Sequence, residues 1–207
     1  MEEIIKQFVL LWAVIDPIGT IPVFIAVTAG ISNPSMARKI AIKATLIAAL
    51  VLLFFVLVGE YLLDALQIPL TAFQIAGGIV LFLFALSMIF GQSKPEEEMG
   101  MVKSHMHQSV FPLAIPSIAS PGAMMAAVML TDNHRFSLMH QGITTLIIFA
   151  VLLVTLIFML LASRIQRIIG DAGASVISRV MGLILASIAV SAILAGFSAY
   201  FGLTVTP

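Results

Sequence analysis

The chain has 207 residues, 61% of them hydrophobic and 10% charged, with a mean hydropathy of +1.16 and no net charge. A soluble domain is roughly 45–50% apolar and about 25% charged, so this composition excludes an ordinary cytosolic enzyme as well as a disordered chain and leaves a polytopic membrane protein. Charge balance gives no nucleic-acid footprint, and the absence of Cys excludes disulfides, thiolate chemistry and Cys-ligated metals.

A membrane helix needs about 20 mostly apolar residues, and six segments qualify. The first is Ile4–Ala29. It follows Met1-Glu2-Glu3 without the basic region of a cleaved leader, so it reads as a span. Its middle carries Asp16, Pro17, Gly19, Thr20 and Pro22. The second, Ile40–Leu63, begins beside Arg38 and Lys39, has Lys43 placed to snorkel, and has Glu60 and Asp64 at its far, interfacial end. The third, Ile68–Phe90, holds Gln74 and the Gly77-Gly78 pair. The loop Gly91–Ser109 follows, with its acidic run Glu96–Glu98. The fourth span, Val110–Leu130, contains Pro112, Pro116, Ser117, Ser120, Pro121 and Gly122, then Met124, Met125 and Met129, which would line one wall of a cavity. The fifth is Gln141–Leu161 and the sixth Val176–Phe201, where Ser187, Ser191, Ala195 and Ala199 form a small-residue stripe expected to face a neighbouring helix. These runs are apolar all round, which excludes the alternation of membrane strands.

Basic residues set the orientation. Arg38, Lys39, Lys43, Lys94, Lys103, Arg164, Arg167 and Arg179 fall on one side, against Lys6 and Arg135 on the other. The first set marks the cytoplasmic side and leaves both termini outside, with the chain in a plasma or inner membrane. A faint echo links the halves. Pro17 and Pro121 lie 104 residues apart and Gly77 and Gly182 lie 105 apart. Three spans per half is an odd number, so the second half enters upside down. The expected fold is therefore all-α, two inverted three-helix repeats at 1–95 and 110–207 joined by a linker at 96–109, with helices 1 and 4 broken near the midplane.

The two breaks carry the chemistry. Proline removes a backbone donor and clashes with the preceding turn. Irregular backbone survives in hydrocarbon only against protein or a water-filled cavity. One such break would read as a packing kink; a matching pair points to a site at the repeat interface. Asp16-Pro17 and Ser120-Pro121 each read as an N-cap followed by proline at the first helical position. Each would start a half-helix near the membrane centre, and the two N-termini would face one region suited to a carboxylate. Freed carbonyls there suit an ammonium or a coupling cation. Asp16 is the only carboxylate deep in a predicted span. Two roles stay open for it: a helix cap, or a charge that pairs with substrate or carries a proton. The candidate substrate-binding set is Asp16, Pro17, Gly19, Thr20, Pro22, Gln74, Pro116, Ser117, Ser120, Pro121 and Gly122.

No HExxH helix, GxSxG elbow or phosphate loop is present, so no enzyme activity or cofactor is expected, and uphill movement would need H+, Na+ or exchange. His105, His107, His134 and His140 sit in or beside loops and make a weak metal set. IDPIGTIPVF, GEYLLDALQI with FQIAGGIVLFLFALSMIFG, FPLAIPSIASPGA and ISRVMGLILASIAV together resemble the MarC family of integral membrane proteins, across nearly the whole chain. The resemblance implies six spans and, for some members, transport of small neutral amino acids such as glycine and alanine. Many members have Gly-Pro-Gly where this chain has Ser120-Pro121-Gly122, many have Arg in place of Gln74, and some have Asn in place of Asp16. The expected function is thus a secondary transporter of a small-molecule substrate, working in the lipid bilayer. A lipid-modifying intramembrane enzyme or a non-transporting subunit are the alternatives. A chain of 22.1 kDa leaves room for a homo-oligomer whose second copy completes the walls.

Overall fold

A computed structural model of the chain describes residues 2–29, 31, 33–90, 110–133 and 135–203. Their regular structure is entirely helical. The helices are α1 (Glu2–Ile15), α2 (Thr20–Thr28), α3 (Pro34–Ala65), α4 (Leu70–Phe90), α5 (Pro121–Leu130), α6 (Leu138–Leu160) and α7 (Ala162–Phe201), with a π-helical stretch, Leu113–Ile118, before α5. Five stretches are long and apolar enough to cross a membrane: Glu2–Thr28, Pro34–Ala65, Leu70–Phe90, Leu138–Leu160 and Ser175–Phe201. The linker and the residues Glu96–Glu98, His105, His107 and His134 lie outside the described residues.

The first expected span is divided into α1 and α2, and the fourth is more irregular still. Instead of one long helix, Val110–Leu130 holds the six-residue π-helical stretch and the ten-residue α5. Prolines are the cause. Ile115 is extended at φ −135°, ψ 125°, as the residue before Pro116 should be, and Ser120 before Pro121 is extended at φ −72°, ψ 159°.

Local signals account for other boundaries. Asn33 caps α3, its side chain accepting from the Ser35 N–H at 3.0 Å with Pro34 in the first turn, so α3 starts before the apolar run does. Gly170 takes φ 68°, which glycine alone adopts without strain, and this bends α7 between a lead-in bearing Arg164 and Arg167 and the span from Ser175. Lys43 is exposed, as snorkelling requires. At the far end of α3, Glu60 Oε2 accepts from the backbone N–H and Nδ2 of Asn133, at 2.8 and 2.6 Å.

The stretch containing α1 and α2 lies at the centre: 61% of its most apolar window is buried, against 22–39% in the other four spans. Around it the contacts use small side chains. Ala41, Ala44 and Ala48 of α3 and Ala123, Ala126 and Ala127 of α5 are all buried, and the two helices pack together. In lipid, such residues matter because association comes from close van der Waals approach rather than from expelling water.

α4 and α7 form the tightest seam, and it runs antiparallel. The Cα of Gly196 faces Thr71 and Ile75, that of Gly78 faces Ala189 and Ile193, and that of Gly182 faces Ala85 and Met88. Moving up α4 means moving down α7 in steps of seven residues, the spacing of nearly aligned helices. The two central glycines of α4 serve different partners, Gly77 meeting Met125 of α5 while Gly78 meets α7. This corrects the expectation for the α7 stripe. Ser187, Ser191, Ala195 and Ala199 stay exposed and border an outward groove with Phe82 and Leu194. A step of four residues drifts around the helix, whereas Gly182, Ala189 and Gly196 hold one line toward α4.

Gly182→Val should lower the stability of the detergent-solubilised protein by about 1–3 kcal/mol, because the added carbons meet Met88 and the Ala85 carbonyl. Gly142→Ala, at a helical position with open space around it, should raise it by about 0.5–1 kcal/mol. Thermal unfolding of the two variants checks both signs.

Candidate functional site

Two short irregular segments meet in the centre of the bundle. The first follows α1. Pro17 has no N–H, so the helix cannot continue its hydrogen-bond ladder through it, and α1 ends at Ile15. Asp16 takes φ 52° and is buried, only 2% exposed. Its Oδ1 accepts the Gly19 N–H at 3.0 Å and its carbonyl accepts the Thr20 N–H at 3.1 Å. This corrects the expected cap: the carboxylate closes a turn over residues 16–19, Pro17 lies in that turn rather than at a first helical position, and α2 begins at Thr20 with Gly19 at its N-cap and no side-chain cap bond. Gly19 is required sterically: a Cβ there would run into the Asp16 carboxylate.

The second segment precedes α5. Ser120 caps that helix, its Oγ accepting the Ala123 N–H at 3.1 Å, with Pro121 in the first turn. The same hydroxyl donates its proton to the Val14 carbonyl at 2.7 Å. That carbonyl belongs to the last turn of α1, where helical partners run out. Thr20 Oγ1 donates to the Asp16 carbonyl at 3.0 Å and lies 3.4 Å from Ser117 Oγ. Gly122 sits where a Cβ would press on Leu81 of α4 and approach Val14.

Asp16, Gly19, Thr20 and Ser117 are therefore linked by direct hydrogen bonds, and Ser120 joins the first segment separately through the Val14 carbonyl; all five are buried. Pro17, Pro22 and Pro116 shape the surrounding backbone; Pro121 is exposed at the edge of the break. Gln74 is buried on α4, one turn before Gly77, rather than in either irregular segment. Met125 is buried against Gly77, and Met124 and Met129 are partly buried beside the core. Among the described residues, no three His, Asp or Glu side chains gather as a metal ion would require.

Sequence reasoning missed three participants. Val14 contributes a carbonyl, which no side-chain pattern announces. Gln7 and Thr144 join His140 where the N-terminal parts of α1 and α6 meet: Gln7 Nε2 lies 2.7 Å from His140 Nε2, and Thr144 Oγ1 donates to Gln7 Oε1 at 3.1 Å. Phe136 stacks on the same imidazole with ring centroids 4.3 Å apart. A glutamine inside an apolar run was the available signal for the second group.

The family model described as MarC family integral membrane protein matches residues 1–201. The chain belongs to the MarC family. A UPF0056 membrane protein of Buchnera aphidicola (subsp. Baizongia pistaciae) is 30% identical, over 97% of this chain and 99% of its own length. The UPF0056 inner membrane protein YhgN of Escherichia coli is 34% identical, over 95% and 96%. A UPF0056 membrane protein of Methanocaldococcus jannaschii is 35% identical, over 95% and 96%. No solved structure gives a significant match. As a MarC family member, the chain is a multi-pass integral membrane protein.

In this MarC family chain one hydroxyl satisfies two elements at once. Ser120→Ala should cost about 1–3 kcal/mol, because it leaves the Val14 carbonyl and the Ala123 N–H without their partner. Ser187→Ala, whose exposed hydroxyl bonds only within its own helix, should stay within about 0.5 kcal/mol of the parent. Melting temperatures in one detergent compare the two.

Proposed function

We propose that the protein is a secondary transporter of small neutral amino acids, alternating access around the paired segments Asp16–Pro22 and Pro116–Gly122. The observation that carries this reading is the joining of two interrupted segments by buried polar contacts at the centre of an apolar bundle. Helix ends at that depth offer N–H groups and carbonyls to a zwitterion. The inverted-repeat reading has support in the packing. α3 packs on α5 and on the π-helical stretch while α6 packs on α2 and on α1, and α4 packs on α5 while α7 packs on α2. These contacts exchange with one another when the halves exchange. The antiparallel α4–α7 seam fits the same symmetry, since equivalent helices of inverted halves run in opposite directions.

In this reading the basic end of the bundle is cytoplasmic, as the excess of Lys and Arg there favours, and both termini are external. The substrate carboxylate lies toward the first turn of α5, while Asp16 closes the turn before α2 by accepting the Gly19 N–H. Coupling is to H+ or Na+, or by exchange. The purified protein in liposomes should take up labelled glycine or alanine above protein-free controls, and no flux of either under any imposed gradient would remove the substrate assignment.

Asp16→Asn separates a turn-closing role from a charge carrier. Asn closes such a turn as Asp does and tolerates a positive φ, so the variant should fold. Uptake close to the parent, with little change in its pH dependence, is the expected result. Abolished uptake by a folded Asn variant would instead assign the charge to the substrate ammonium or to a proton. Asp16→Ala loses the side-chain bond of the turn as well, at about 1 kcal/mol, and should be poorer than Asn.

A further inference from the structure

A second feature lies between the central segments and the basic end. A cavity of about 520 Å³ opens there, bordered by Phe24 and Thr28 of α2, Ala37 and Arg38 of α3, Met159 of α6 and Ser163 of α7. Its walls are mixed: an apolar floor, two hydroxyls and one cation. Thr28 Oγ1 already donates to the Phe24 carbonyl at 2.7 Å; Arg38 and the Ser163 hydroxyl offer donors that a small molecule carrying a carboxylate can use and a lipid chain cannot.

The floor is set by helix geometry. Thr20, Phe24 and Thr28 are spaced by four residues and share one face of α2. Thr28 borders the cavity, Thr20 is fully buried in the central hydrogen-bonded group, and Phe24 stands between them, 6% exposed, with its side chain on the cavity wall. About one helical turn, roughly 5.4 Å, separates each from the next. Phe24 is thus the residue on this face where open space ends and the closed centre begins.

We propose that this cavity is the vestibule of the substrate path at the basic end, with Arg38 as its anion-attracting rim, and that the Phe24 ring is the gate closing it from Thr20 and Ser117. The assignment rests on the transport reading and adds the route and the barrier. A ring on a nine-residue helix following an irregular turn can swing aside with a rotamer change or a small tilt of α2, without repacking the α4–α7 seam.

The chain contains no Cys, so each introduced thiol is the only one present. In reconstituted vesicles, a membrane-impermeant maleimide added on the basic side should label Thr28→Cys and Ser163→Cys readily. Thr20→Cys and Ser117→Cys should be protected. Adding Phe24→Ala should raise their labelling at least about tenfold, the ratio equivalent to about 1.4 kcal/mol in the opening step. Phe24→Leu, which retains more of the buried volume, should give a smaller rise and serves if the Ala variant does not fold. Ile21→Ala, a comparable truncation on another face of α2, should leave both thiols protected. Rapid labelling of Thr20→Cys with Phe24 intact, continued protection in every folded Phe24 variant, or equal exposure by Ile21→Ala would overturn the gate. Labelling needs no substrate, so its outcome is separate from that of glycine and alanine uptake.

Discussion

Every backbone N–H and C=O inside a bilayer must find a partner within the protein or in trapped water. The centre of this molecule is organised by that requirement. Pro17 and the prolines of the fourth apolar segment interrupt two ladders at the same depth, and the interruptions are repaired by each other. Ser120 is the sharpest case, receiving the α5 N-terminus and returning a proton to the α1 C-terminus through one hydroxyl. Thr20 acts similarly, its hydroxyl bonded to the Asp16 carbonyl and close to Ser117. The Ser120–Val14 and Thr20–Ser117 contacts exist only where the two segments meet, so that part of the chemistry of the centre is a property of the pair.

The remaining helices supply a frame. α3 and α5 meet where Gly59 lies against Val128, and α4 and α7 meet through glycines facing carbonyls. Side chains of this size give up transfer energy but permit backbone approach, which is what stabilises association where lipid tails are as apolar as leucine. Polar side chains buried within the frame, such as Thr45 of α3 and Thr155 of α6, bond to carbonyls of their own helix, whereas those of the centre and of the Gln7–Thr144 pair bond between elements.

Much of this was legible in the residues. Apolar runs located the spans, and Ser120-Pro121 announced a capped helix that starts where those two residues say it should. Asp16-Pro17 announced the interruption but not its form: Asp16 takes φ 52° and closes a turn onto Gly19, and the helix resumes only at Thr20 instead of at Pro17. The fourth segment had the composition of a span, yet its prolines left only ten residues of α-helix, so apolarity overstated its regularity. The α7 stripe misled for a different reason. Small residues every four positions and small residues every seven both occur on that helix, and only the partner's axis decides which line is covered. The bond from Ser120 to Val14 was illegible, since a main-chain carbonyl has no sequence signature and the two positions are 106 residues apart.

The glycine seam also limits how the molecule can deform. With Cα of Gly78 and Gly182 set against the Ala189 and Ala85 carbonyls, rotating either helix about its axis would drive a branched side chain into backbone. Sliding by less than a full seven-residue step would do the same. The pair therefore behaves mechanically as a single stiff beam, with both torsion and shear suppressed. Compliance is displaced to the joints of the structure, the turns at 16–19 and 119–120 and the bend at Gly170, which are all short and contain or adjoin glycine or proline. Any displacement at the centre would be taken up at those joints, with the α4–α7 contacts left in register.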